Sequence, residues 1–175
     1  MIGAFEKAFA VVVGNEGGFT DNPSDPGNWT GKAVGVGRLV GTRWGVSAAA
    51  YPGVDIARLT LDGARAIYRR DYWNKVRGDD LPPALALLVF DAAINNGPDR
   101  AARWLQTAVG AMPDGMVGSR TVALAHAAGR EVMAEMVAQR LAFMAGLPTW
   151  RTFGLGWARR LCRLPYDAMS MEDVA

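Results

Sequence analysis

The run Pro82-Pro83-Ala84-Leu85-Ala86-Leu87-Leu88-Val89-Phe90-Asp91-Ala92-Ala93-Ile94-Asn95-Asn96-Gly97 reads as a helix: the two prolines open it, apolar residues carry it to Ile94, and Gly97-Pro98 cuts it from the next helical segment. Working outward toward the C-terminus, helices are expected over 99–109, 119–128, 131–145 and 149–164, with a turn at Met112-Pro113-Asp114-Gly115. Toward the N-terminus, Thr60 is a candidate N-cap for a helix reaching about Trp73. Ile2, Phe5, Phe9, Val12 and Val13 recur every three or four positions, which predicts a helix over 2–15 stopped by Gly17-Gly18. The stretch from Thr20 to Gly45 differs from all of these. Pro23, Pro26 and six glycines stand there among Trp29, Val34, Val36, Leu39 and Trp44, so a loop with a short β-hairpin is expected. A helix-free segment of that length inside a compact domain is usually functional, and its tryptophans argue against disorder. Residues 166–175 are acidic and patternless, which predicts a mobile tail. The fold class is therefore mainly α, with residues 1–95 and 96–165 as two regions packed into one compact unit.

The 175 residues are 50% hydrophobic and 21% charged, and carry a net charge of +2 spread along the chain, which gives a polybasic nucleic-acid or membrane reading little support. One cysteine, Cys162, and one histidine, His126, permit no intramolecular disulfide and no His/Cys zinc set, so zinc hydrolysis and Cys-His nucleophilic chemistry are disfavoured and no cofactor is expected. Cys162 reads as a small buried residue, and His126 as a surface or satisfied histidine. Glu6 and Lys7 interrupt the lead-in to the apolar run Ala8–Val13, so neither a signal peptide nor a membrane span is expected.

Of five glutamates, Glu16 alone is not explained by a solvated helix face or the tail. At the end of an apolar helix, the helix dipole and partial burial would both disfavour its carboxylate, raising its pKa toward that of a general acid. The alternative is an exposed residue in a fraying last turn. Asp25, in Ser24-Asp25-Pro26-Gly27, is either a second carboxylate or a turn former bonding its own backbone. The arginines Arg151, Arg159, Arg160 and Arg163 form either a solvated face or a patch attracted to an anionic cell wall, the solvated face being the default.

Four segments taken together carry a resemblance: Glu16-Gly17-Gly18-Phe19, Asn22-Pro23-Ser24-Asp25-Pro26-Gly27, Thr42-Arg43-Trp44-Gly45-Val46-Ser47 and Asp91-Ala92-Ala93-Ile94-Asn95-Asn96-Gly97. The chain resembles the glycoside hydrolase family 108 lysozymes, phage-type N-acetylmuramidases. Its second half, with Asp114-Gly115-Met116-Val117-Gly118-Ser119-Arg120-Thr121 and Gly156-Trp157-Ala158-Arg159-Arg160, is similar to the helical peptidoglycan-binding region that comes second in that family. The resemblance implies a lysozyme-like helical fold whose Gly/Pro-rich loop or hairpin forms one wall of a substrate cleft, with Glu16 as the essential acid. The chain departs from the family pattern in an insertion, Asn28 to Gly41, between the D-P-G loop and the threonine segment.

Glycoside hydrolysis sets its acid against a base or nucleophile at roughly 5–5.5 Å for retention or 6.5–9.5 Å for inversion, and Asp25 is the candidate base. A water held by Thr42 and Ser47 is the alternative. Trp44 and Trp29 each suit either stacking against a sugar face or a core or lid role, and Asn95 and Asn96 suit N-acetyl groups or helix capping. Tyr72 is expected to pack in the core with one edge on the groove. The implied function is cleavage of the β-1,4 bond between N-acetylmuramic acid and N-acetylglucosamine. The alternatives are a lytic transglycosylase with the same acid and a non-catalytic cell-wall-binding or secretion-related protein. The expected partners are peptidoglycan strands, with release to the periplasm through a holin-type pore, a monomeric state, and neither nucleic acid nor stable membrane insertion.

Overall fold

The computed structural model describes residues 3–14 and 18–171. Among them are seven α-helices and one small antiparallel sheet, the mainly α, lysozyme-like architecture expected. The helices are α1 (Ala4–Val12), α2 (Leu61–Tyr68), α3 (Pro83–Asn96), α4 (Pro98–Ala108), α5 (Ser119–Ala127), α6 (Glu131–Ala145) and α7 (Trp150–Met169). Strands β1 (Thr42–Arg43) and β2 (Val46–Ser47) form the sheet. Two compact units make up the chain: Phe9–Tyr68 is one, and Met1–Ala8 with Arg69–Ala175 is the other. This division falls elsewhere than the expected boundary at 95/96.

In the larger unit α3 is the central element. Every residue from Ala84 to Ala93 is buried, because a helix apolar on all sides must be covered on all sides. Helices α4, α6 and α7 pack against it. Phe5, Trp73 and Phe90 meet edge to face, with centroids 5.4–5.9 Å apart, contacts worth about 0.5–1.5 kcal/mol each beyond their buried area. Asp91 is the polar exception on α3. Fully buried, it accepts bonds from Arg160 Nε at 3.0 Å and Arg140 NH1 at 3.4 Å. Burial pushes the Arg140 pKa down while Asp91 opposes that shift. Leaving such a pair half-made costs about 3–5 kcal/mol, so Asp91 is tied to two helices far along the chain. Arg160 thus departs from the solvated-face reading through its bond to Asp91, although its side chain, like those of Arg151, Arg159 and Arg163, is exposed.

Two helix ends differ from expectation, those of α1 and α7. Helix α1 closes at Val12 rather than at 15: the Val13 and Gly14 amides both reach the Phe9 carbonyl, at 2.9 and 3.3 Å, and Gly14 takes φ +70°, which only glycine adopts freely. Ile2, Asn15 and Gly17 lie outside the described residues. Helix α2 starts after Thr60, whose hydroxyl accepts from Gly63 N, and then widens into a π-helical turn over Arg69–Trp73. Helix α7 continues through Pro165 to Met169, beyond the expected end at 164. Proline in a helix interior removes one hydrogen bond, but burial of Leu161, Leu164, Ala168 and Met171 holds the last turns in place. The tail expected to be mobile from 166 is therefore helical through Met169, and residues 172–175 lie outside the described residues. Cys162 is exposed rather than buried.

Candidate active site

The smaller unit is organised by a two-residue hairpin. Thr42 pairs with Ser47 and Arg43 with Val46, and the turn residues Trp44 and Gly45 both have positive φ, +54° and +73°, as an I′-type turn requires. Glycine is needed at 45 because a Cβ there would collide with the Tyr68 hydroxyl. A tryptophan with positive φ is uncommon, at a cost of about 1–3 kcal/mol. Three contacts hold this turn: Trp44 Nε1 donates to the Leu59 carbonyl at 3.1 Å, the Tyr68 hydroxyl donates to the Trp44 carbonyl at 3.2 Å, and Arg43 NH1 donates to the Ala57 carbonyl at 2.6 Å. On its other side Thr42 exchanges two backbone bonds with Thr20. The cross-strand register sets the Thr42 and Ser47 side chains side by side on one face, both half-buried.

Asp25 lies in an exposed turn. Its Oδ1 accepts from Gly27 N at 2.8 Å and caps the 3-10 turn Pro26–Asn28, so the turn-forming reading of Asp25 is realised. Oδ2 has no hydrogen-bond partner among the described residues. The turn delivers Asn28 into the interior of the unit, fully buried. Asn28 Nδ2 donates to the Asn22 carbonyl at 3.0 Å, and Oδ1 accepts from the Thr42 hydroxyl at 2.7 Å. A carbonyl can only accept, so the Asn22 contact fixes which end of the amide is nitrogen. The Thr42 hydrogen is thereby committed to Asn28, and the lone pairs of Oγ1 are left to accept from a water. Asn28 also takes the Val40 and Gly41 amides on its own carbonyl, closing the 28–41 insertion.

That insertion is the expected hairpin: Trp29 bridges Leu39, Thr30 N donates to the Arg38 carbonyl, and Gly31 N to that of Val36. Trp29 Nε1 donates to the Pro23 carbonyl, tying the hairpin to the Asp25 loop.

Tyr72, Asn95 and Asn96 belong to the other unit. Tyr72 sits half-buried in the π-helical turn. Asn95 Nδ2 donates back to the Asp91 carbonyl at 2.8 Å, and Asn96 Oδ1 accepts from Arg140 Nε at 2.8 Å, so both amides are engaged within the protein at the end of α3. His126 is exposed, with Nε2 2.9 Å from the Asp80 carbonyl. Glu16 lies outside the described residues.

The family model for glycosyl hydrolase 108 matches residues 9–97, a stretch holding every candidate residue from Glu16 to Asn96. The chain belongs to glycosyl hydrolase family 108. The solved structure of Brucella abortus SagA is similar over almost the whole length: 36% identity, TM-score 0.78, covering 95% of this chain and 94% of that one. No curated protein matches the chain in sequence. Family 108 membership makes this chain a glycoside hydrolase. Asn28, which holds the Thr42 hydroxyl, was not legible from the residue order, since its partners stand six positions before and fourteen after it.

Proposed function

We propose that the protein is a muramidase that cleaves the β-1,4 bond between N-acetylmuramic acid and N-acetylglucosamine, with Glu16 protonating the leaving oxygen. The observation that carries the reading is the Thr42 hydroxyl, oriented by a buried amide so that its free valences are acceptors, in a chain of this family. A water that donates to the Thr42 oxygen is held with its own lone pair outward, toward an electrophilic anomeric carbon. Asp25 is the proposed base: one carboxylate oxygen is anchored by Gly27 N and the other is open to take the water's proton. Ser47 shares the face with Thr42, Trp44 supplies a restrained aromatic surface for a sugar ring, and Asn95, Asn96 and Tyr72 are assigned to substrate binding.

Turbidity loss of permeabilised cells and reducing-end release from purified peptidoglycan test this. Glu16→Gln should lose at least a hundredfold in rate while remaining folded; an equally active variant ends the assignment. Mass spectrometry of the products separates water attack from the transglycosylase route, which alone leaves anhydromuramoyl ends. A wild-type protein inert on peptidoglycan of every chemotype supports the non-catalytic reading. Endolysin-type deployment is tested by making lysis of producing cells depend on a co-expressed holin-type pore.

A further inference from the structure

Two neighbouring amides at the end of α3 each have one end fixed by the protein and the other open. Asn95 Nδ2 donates to the Asp91 carbonyl at 2.8 Å and lies 3.3 and 3.5 Å from the Asp91 carboxylate oxygens. All three are acceptors, so the nitrogen of Asn95 turns inward and its Oδ1 is left to accept. Asn96 is set the other way round. Its Oδ1 accepts from Arg140 Nε at 2.8 Å, and a guanidinium can only donate, so Nδ2 is left to donate. Neither open end has a hydrogen-bond partner among the described residues, Asn95 is exposed, and Asn96 is half-buried. Beside them, a Cβ placed on Gly97 would meet nothing within 4 Å.

Arg140 is what commits Asn96. Its side chain is 4% exposed, and NH1 reaches the fully buried Asp91 carboxylate at 3.4 Å. The guanidinium is planar and rigid, so once Asp91 sets NH1 the direction of Nε is set too. The cavity beside it, among Leu88, Ala92, Met136 and Leu161, holds about 10 Å³, too little for the group to swing. Ending the helix needs none of this, because Gly97 N already donates to the Ala93 carbonyl and Gly97 takes φ +90°. A buried ion pair adds little net stability over apolar residues of the same volume, and its best-attested use is to fix one arrangement among several. Arg140 also lies outside 9–97, the stretch that the family model matches.

We propose that Arg140 is a positioning residue that makes Asn96 a fixed donor to the acetamido carbonyl oxygen of a bound sugar, so that the enzyme selects N-acetylated over de-N-acetylated glycan. The identity of the sugar rests on the muramidase reading. An acetamido carbonyl accepts what Asn96 offers, whereas the ammonium left by de-N-acetylation can only donate and meets a donor. Without Arg140 the Asn96 amide turns over freely and can present its oxygen to that ammonium.

The test uses full-length protein and one peptidoglycan sample, chemically de-N-acetylated, half of which is then re-acetylated. Reducing-end release gives kcat and KM on each half, and sedimentation of Glu16→Gln protein with the same material gives affinity without turnover. Wild type should prefer the re-acetylated glycan by about ten- to a hundredfold, mostly through KM. Asn96→Asp keeps the oxygen that Arg140 bonds and replaces the outward amino group with a second carboxylate oxygen, so the preference should reverse. Arg140→Lys keeps a cation beside Asp91, but its single head cannot serve Asp91 and Asn96 together, so the preference should fall toward unity. In an Asn96→Ala background the same change should alter the preference no further. Asn96→Asp is at a half-exposed position, so it decides the matter alone if Arg140→Lys does not fold. The inference is overturned if wild type treats the two glycans alike, or if Asn96→Asp or a folded Arg140→Lys keeps the wild-type preference. It is equally overturned if Arg140→Lys changes the preference as much without Asn96 as with it. A protein that binds with this preference and releases no reducing ends overturns the muramidase reading and leaves the role of Arg140 standing.

Discussion

Two loops of this protein are built with the same parts. Around residue 25, Asp25 Oδ1 accepts the amide two residues on, at 2.8 Å, and a buried primary amide, Asn28, donates to the loop's Asn22 carbonyl. Around residue 114, Asp114 Oδ1 accepts the Met116 amide, also at 2.8 Å, and a buried primary amide, Gln106, gathers that loop. The difference lies in where the valences point. Gln106 makes its short bonds with both ends of its amide to its own loop, donating to Asp114 Oδ1 at 2.6 Å and to the Met116 carbonyl at 3.0 Å and accepting from Gly115 N at 2.9 Å, and reaches the Thr121 hydroxyl of α5 only at 3.5 Å. Asn28 spends one end on its loop and the other on a hydroxyl in a different strand. A loop closed on itself serves as a structural joint, whereas a loop that fixes a distant hydroxyl and leaves a carboxylate oxygen open has the valences that the proposed reaction needs.

The sharpest way to break the comparison is to neutralise both aspartates. Asparagine keeps the acceptor that caps each turn and removes only the charge. Asp25→Asn should lower turnover about 10²–10⁴-fold, the usual weight of a general base, with little change in melting temperature. Asp114→Asn should leave turnover intact. Were Asp25→Asn fully active, the two loops would be equivalent joints, and the water on Thr42 would attack without a carboxylate base.

The amides come next in size. Asn28→Ala and Gln106→Ala each strand buried donors or acceptors and should destabilise by about 2–4 kcal/mol in denaturant unfolding. Only Asn28→Ala should also cost turnover, about ten- to a hundredfold, because the Thr42 hydroxyl becomes free to rotate. If Asn28 acts through Thr42, then Thr42→Val combined with Asn28→Ala should be no slower than Thr42→Val alone, with KM nearly unchanged. Additive losses would make Asn28 merely a fold element.

The same contrast marks what could be read from residues in order. Proline, glycine and apolar period placed α3, α4, α5 and α6 within a residue or so, because those signals act over one or two turns. Helix α1 was drawn too long because Gly14 stops it before Gly17-Gly18 could, and α7 too short because Pro165 ordinarily ends a helix, yet here lies among buried Leu161, Leu164 and Ala168. What lay beyond reading was long-range pairing. Asp91 meets arginines 49 and 69 positions away, which makes Arg160, a half-exposed residue, a partner of a buried carboxylate. In the site, Thr42 and Ser47 were legible as neighbours because a short hairpin relates them, whereas the Asn28 contact spans fourteen residues and an insertion.

The smallest effect belongs to acid. Hydrogen bonds from the Gln106 side chain and then from Met116 N lower the Asp114 pKa below its usual 3.8. A carboxylate with a depressed folded-state pKa adds stability above the unfolded-state value and loses it as pH falls through the folded-state value. The melting-temperature gap between wild type and Asp114→Asn should therefore be positive and flat near neutrality, and should close below about pH 4. Gln106→Ala should shrink the same gap at pH 7 by removing the first donor. A gap that persists at pH 2 would mean that asparagine disturbs the turn itself, and that charge contributes nothing to how this loop closes.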